Sequence, residues 1–260
     1  MQVLNRPWGA MHYRTDGSPR GPALVFANSL GTDLRLWDSL IEHLPTEFYF
    51  IRYDKRGHGL SDTGGPVTIE DLAADAVALI EAVARGPAVF VGLSIGGLIG
   101  QALAAARPDL LSALVLSNTA AKIGTAESWN ARIAAVCESG VASIADAIVE
   151  RWFAAQFRAT PALALWRNML ARSSAEGYVS ACAAIAAADL TCSTATIRLP
   201  TLVVAGSEDG STPPDLVVAT AGLIPGAHYH CIEGMGHLPC VENPASYAGV
   251  LIPFLREHAR

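Results

Sequence analysis

Gly92-Leu93-Ser94-Ile95-Gly96 has the spacing G-x-S-x-G. It follows the apolar run Ala88–Gly92 and opens a small, apolar, helix-like stretch from Gly96 to Arg107 that Pro108 ends. A serine in such a strand-to-helix turn projects its hydroxyl above a sheet, near the positive end of the following helix. Glycines on either side relieve the crowding, since they lack Cβ. The chemistry this suits is nucleophilic attack by Ser94 on an acyl carbon. A hydroxyl is a weak nucleophile at its own pKa and needs a base. Of seven histidines, His237 in Gly234-Met235-Gly236-His237-Leu238-Pro239 is best placed. It follows the last strand-like run, Tyr229–Ile232, and a loop there can reach across the strand ends. His12 falls in an opening hairpin, His43 on an early helix, His228 and His230 at the last strand, and His258 on the terminal helix. The imidazole needs an acid to fix its tautomer and stabilise its charged form. Asp209, in Gly206-Ser207-Glu208-Asp209-Gly210 after the run Thr201–Ala205, is the expected acid, with Glu208 as its rival.

A tetrahedral intermediate also needs donors for its oxyanion. The N–H of Ile95, after the serine, is one. The second is expected from the loop after the first apolar strand, Asn28-Ser29-Leu30-Gly31, as the backbone N–H of Leu30. Arg52-Tyr53-Asp54-Lys55-Arg56-Gly57-His58-Gly59-Leu60-Ser61 is a further polar stretch. Asp54, Arg56, His58 and Ser61 are expected to form one network fixing the loop below Ser94, with His58 structural.

These groups need a scaffold. The runs Ala23–Ala27, Phe48–Tyr53, Ala88–Gly92, Ala113–Ser117 and Thr201–Ala205 are apolar on both faces, as in a parallel sheet covered by helices. Thr68 with Asp71 reads as a helix start. Leu72, Ala76, Leu79, Ile80 and Val83 then share one face of that helix. Alternating strands and helices predict an α/β fold, a mostly parallel, doubly wound sheet, opened by an antiparallel hairpin over Val3–Arg14. From Thr119 to Ile197 the chain is Ala-rich without a strand-like run. Helices are predicted over Trp129–Cys137, Ile144–Phe153, Ala162–Arg172 and Tyr178–Ala187, punctuated by Gly140, Pro161 and Gly177. This block reads as a helical cap, residues 119–197, inserted into a core of residues 1–118 and 198–260, over the carboxyl ends of the strands where open α/β sheets bind ligands.

Composition narrows the function classes. With 51% hydrophobic and 16% charged residues the chain is no disordered segment. Net charge is −6 with no basic stripe, so no nucleic-acid partner is expected. No apolar stretch reaches a membrane span, and the N-terminus lacks the pattern of a signal peptide, so a cytoplasmic location is expected. The five cysteines, Cys137, Cys182, Cys192, Cys231 and Cys240, are odd in number and form no CxxC pair. That predicts buried, reduced thiols, with neither a disulfide framework nor a zinc site.

The chain order Ser94, Asp209, His237 is that of α/β-hydrolases, and the sequence resembles the 3-oxoadipate enol-lactonases of aromatic breakdown. The resemblance rests on Asn28-Ser29-Leu30-Gly31-Thr32-Asp33 with Trp37-Asp38, on Arg52 through Ser61, on Gly92 through Gln101, on Asn118 through Gly124 and on Trp129 through Ile133. Related hydrolases often carry His-Gly where this chain has Asn28-Ser29, a departure that leaves a backbone donor intact. The resemblance implies hydrolysis of a small-molecule enol-lactone to 3-oxoadipate, with neither cofactor nor metal, and leaves the oligomeric state open. The lactone's carboxymethyl arm calls for an anion site in the cap. Trp129 and Arg132 share a helix face. They are expected as its apolar wall and its cation, with Lys122 and Arg167 as rival cations. Alternatives on the same scaffold are a broad carboxylesterase, a carbon–carbon bond hydrolase, a perhydrolase or a non-turnover receptor for a small molecule.

Overall fold

The apolar runs become buried strands, and the computed structural model describes residues 1–259. The strands are β1 (Gln2–Arg6), β2 (Gly9–Gly17), β3 (Ala23–Ala27), β4 (Tyr49–Tyr53), β5 (Ala88–Leu93), β6 (Leu111–Ser117), β7 (Thr201–Gly206) and β8 (His228–Ile232). They form one sheet in the order β1-β2-β4-β3-β5-β6-β7-β8. The hairpin β1–β2 and the pair β2–β4 are antiparallel, and all other pairs are parallel. Every residue of β3, β5 and β7 is buried, because helices cover both faces of the parallel part.

The chain runs from β3 outward to β4, then returns to lay β5 against the other side of β3, pairing Ala27 with Gly92. The connections therefore reverse direction between β3 and β5. The loops leaving those two strands open a crevice at their carboxyl ends, the usual place for a ligand in such sheets. The helix Ile69–Val83 starts as expected. Thr68 accepts from Asp71 N–H, and the Asp71 carboxylate accepts from Thr68 N–H at 2.9 Å, a reciprocal cap.

Between β6 and β7 lie helices Ala126–Ser139, Ala145–Trp152, Leu163–Ala171 and Ala175–Ala187. They occupy the four predicted stretches with shifted ends. The first gains a turn at its start because Thr125 caps it, accepting from Ser128 N–H at 3.2 Å. This block is held close to the strand ends at one point by main chain alone. Gly57, at φ 69°, faces Gly177, and a Cβ on Gly177 would lie 2.3 Å from the Gly57 carbonyl oxygen.

Two expectations need correction. The polar stretch after β4 is not one network. Asp54 takes bonds from Leu34 N–H, Leu60 N–H and His12 Nδ1, and Ser61 Oγ donates to the Asp54 carbonyl. Arg56 instead turns to Asp75 on the helix Ile69–Val83 and lies over the Trp8 ring. His58 is buried with only Nδ1 engaged, on the Arg56 carbonyl; burial holds its pKa well below the ordinary value, helped by the nearby Lys55 charge. The cysteines are unpaired, but only Cys182 and Cys240 are buried, while Cys137 and Cys192 are exposed. Among the described residues, no helix is long and apolar enough to cross a membrane.

Because a side chain at position 177 has nowhere to go but into the Gly57 backbone, Gly177→Ala is expected to cost about 1–3 kcal/mol. Urea unfolding checks this. The midpoint falls at constant slope if the two backbones touch as described, and stays put if they do not.

Candidate active site

Ser94 stands between β5 and the helix Ile95–Ala106 with φ 59° and ψ −119°, a region few non-glycine residues occupy. The surroundings over-determine this strained turn. Ser94 N–H donates to Ser117 O at 3.0 Å, and Ser94 O accepts from Gly97 N–H at 2.8 Å and Thr119 Oγ1 at 2.7 Å. A Cβ on Gly92 would fall 2.2 Å from Gly96 O, and one on Gly96 would fall 2.0 Å from Ala27 O. Both glycines of the motif are thus needed for close approach.

His237 leaves the loop after β8, and Asp209 the loop after β7. His237 Nδ1 and Asp209 Oδ2 are 2.8 Å apart, both side chains being buried. The carboxylate is held from several sides. Asn118 Nδ2 donates to Oδ2 at 3.0 Å and Thr212 Oγ1 at 2.7 Å. The N–H groups of Ser211 and Thr212 donate to Oδ1 at 2.7 and 3.0 Å. Burial pushes the Asp209 carboxyl up; the His237 charge and the bonds from His237, Asn118 and Thr212 outweigh it and leave it below the ordinary value. Glu208, the rival acid, is exposed.

Ser94 and His237 line one cavity of about 210 Å³ with Ser29, Leu30, Trp129, Arg132, Arg151 and Tyr178 among its walls. That is below the roughly 300 Å³ typical of the smallest drug-sized pockets and suits a small metabolite. The Ser94 hydroxyl and His237 are not hydrogen-bonded to each other here; such pairs are often loose before substrate binds. Neither the Leu30 nor the Ile95 N–H donates to a protein acceptor among the described residues.

Arg132 lies 4.5 Å over the Trp129 ring, and Trp129 Nε1 donates to Ile123 O at 2.6 Å. Trp129 is therefore both wall and core. The rival cations are elsewhere: Lys122 pairs with Asp189 and Arg167 with Asp146, in solvent. Sequence reasoning missed Arg151. Its Nε donates to Gly210 O at 2.9 Å, and its pKa is lowered by burial and by the like charge of Arg132. Tyr178, whose buried hydroxyl has no hydrogen-bond partner among the described residues, is raised to about 12 by burial, against the pull of Arg132. Among the described residues, no cluster of His, Cys, Asp and Glu is arranged to hold a metal.

Glu242 was also missed. Its carboxylate accepts from Gly236 N–H at 2.8 Å and from Ala154 N–H at 2.9 Å, while His237 N–H donates to Trp152 O at 2.7 Å. It thus ties the histidine loop to the helical block. Its signal in the sequence is only its position five residues after His237.

The Alpha/beta hydrolase family model matches residues 24–250, and the chain belongs to that family. Within it, the chain is 42% identical over 206 residues to 3-oxoadipate enol-lactonase 2 of Acinetobacter baylyi, covering 78% of this chain and 77% of that protein. It is 32% identical over 262 residues to 3-oxoadipate enol-lactonase 1 of the same organism, covering 98% and 97%. Among solved structures, the enol-lactonase from Burkholderia xenovorans LB400 superposes with a TM-score of 0.94 at 37% identity, covering 98% of this chain and all (100%) of that one. A malate-bound thermophilic esterase from Thermogutta terrifontis gives 0.92 at 27% identity, covering 100% of both.

Burial raises Glu242 to about 7 from 4.5, with Glu208 and Asp209 adding to the rise and its two backbone donors opposing it. The folded chain therefore holds this proton where the unfolded chain has released it. The resulting stability is complete below about 4.5 and is lost as pH rises through about 7. Urea midpoints at roughly pH 5 and pH 8 are expected to show a smaller decline in Glu242→Gln than in the unaltered protein; equal declines would contradict this.

Proposed function

We propose that the chain is a serine hydrolase that opens the lactone ring of 3-oxoadipate enol-lactone to give 3-oxoadipate, in the cytoplasm, with residues 119–197 acting as a cap on the hydrolase core. The observation that carries this reading is the buried 2.8 Å contact of Asp209 with His237 in the cavity that Ser94 lines.

In this mechanism Ser94 Oγ bonds to the lactone carbonyl carbon while His237 Nε2 takes its proton. The carbonyl oxygen becomes an oxyanion facing the Leu30 and Ile95 N–H groups. As the carbonyl re-forms, the ring C–O bond breaks and its electron pair leaves on the enolate oxygen. The enolate takes that proton from the His237 imidazolium, which frees the base again, and the enol tautomerises to the ketone. Water then attacks the Ser94 ester, giving its proton to His237, and the restored serine leaves with that proton. Asp209 keeps Nδ1 protonated throughout and stabilises the imidazolium.

Arg132 and Arg151 bring two positive charges to one cavity, with no carboxylate partner for either among the described residues. This favours an anionic substrate over the neutral esters of a broad carboxylesterase. It also supports Arg132 as the partner of the lactone's carboxylate, with Trp129 as apolar wall.

Two assays follow. With freshly generated enol-lactone, Ser94→Ala is expected to lower kcat on the order of 10⁴-fold or more; near-normal turnover would remove Ser94 from the chemistry. Arg132→Ala is expected to raise KM for the lactone about tenfold or more while changing kcat less, as loss of a charge-assisted contact should. An unchanged KM would take the carboxylate elsewhere.

A further inference from the structure

Lys55 is the one fully buried ammonium the mechanism above does not use. It follows β4, is 2% exposed and forms no salt bridge among the described residues. Burying an amine without a carboxylate partner is costly, so its contacts must account for it. They go to main-chain carbonyls of a single loop: Lys55 Nζ donates to Ser29 O at 2.6 Å and reaches Asn28 O at 3.4 Å.

The peptide that carries Ser29 O also carries Leu30 N–H. It is trans, so its C=O and N–H point in opposite directions. Lys55 Nζ, with Thr32 Oγ1 at 2.9 Å and Thr32 N–H at 3.3 Å, gathers donors on the carbonyl side. The opposite side, where Leu30 N–H points, has no protein acceptor among the described residues, and Ser29 and Leu30 both line the cavity beside Ser94. If this peptide turned over, it would present a carbonyl oxygen to the developing oxyanion in place of a donor. Lys55 opposes that turn by direct hydrogen bonding.

We propose that Lys55 is a positioning residue for the reaction: by holding the Ser29 carbonyl it aims the Leu30 N–H of the same peptide at the reacting oxygen. The inference rests on the serine-hydrolase reading. Burial lowers the Lys55 pKa to about 7, while Asp54 and Asp33 pull it upward, and His58 is the other titratable group beside it. The role does not depend on that titration, because NH3+ and NH2 both retain an N–H for Ser29 O. The sequence alone hides this device, since a lysine between two motif residues reads as an ordinary surface charge.

The test uses Lys55→Met, which keeps length and removes the donor, and Lys55→Gln, which keeps a shorter, neutral donor. Turnover of the enol-lactone is measured beside the affinity for phenylboronic acid, a tetrahedral adduct on Ser94, and for 3-oxoadipate, a ground-state ligand. Lys55→Met is expected to lose about tenfold to a hundredfold in kcat. KM should stay within about threefold, phenylboronate affinity should fall in step with kcat, and 3-oxoadipate affinity should hold. Lys55→Gln should show a smaller loss of the same kind, and it decides the matter if Lys55→Met does not fold. Unchanged kcat in a folded variant, or equal losses for phenylboronate and 3-oxoadipate, overturns the role of Lys55. Failure of the unaltered protein to turn over the lactone or bind phenylboronate through Ser94 overturns instead the reading beneath it.

Discussion

The buried contact between Asp209 and His237 sets the terms for the rest of the molecule. Removing a carboxylate from water costs about several kcal/mol even after relaxation, and the imidazole alone does not offset that. Asn118, Ser211 and Thr212 supply the remaining hydrogen bonds. Asn118 does so from the end of β6 with φ 47°, a left-handed conformation that asparagine tolerates better than most residues. Its Nδ2 also reaches Gly236 O at 3.2 Å. The ends of β6, β7 and β8 are thus joined at one point, and their register is what brings Asp209 and His237 together.

Around that point the helical block is part of the support. His237 N–H rests on Trp152 O, Gly210 N–H on Arg151 O, and Glu242 bridges Gly236 and Ala154. The carboxyl end of the helix Ala145–Trp152, with Ala154 just beyond it, therefore braces the Asp209 and His237 loops and carries Arg151 into the cavity. The same contacts that hold the imidazole also fix the positive charges that a substrate anion would meet. A net charge of −6 is no obstacle, because the field inside the cavity is set by Arg132 and Arg151.

Much of this was legible in the sequence. Apolar runs marked β3 to β7 to within a residue or two, since strands buried on both faces leave an uninterrupted signal, while the largely exposed edge strand β8 showed only as Tyr229–Ile232. Ser94, Asp209 and His237 were legible because each follows such a run with glycines beside it. The shared face of Trp129 and Arg132, which both line the cavity, was legible from helical spacing. The supporting residues were not. Lys55 and Asn118 act through hydrogen bonds to groups distant in the chain, which no local spacing encodes, and Thr212 lies three residues from Asp209 with nothing in its type to mark it as a partner. Arg56 was misread for the same reason: its partner Asp75 lies on a helix that only the tertiary fold brings near. Arg151 sat among ordinary helix charges until the fold turned it toward Arg132.

In the proposed mechanism one hydroxyl, and no other, is made nucleophilic. The most direct measurement is the intact mass and peptide map of the protein after treatment with a fluorophosphonate, whose phosphorus bonds to an activated serine oxygen as fluoride leaves. The account expects a single adduct on the peptide containing Ser94, with labelling greatly slowed in His237→Ala. Absence of labelling, labelling at another serine, or equally fast labelling without the His237 imidazole would contradict it.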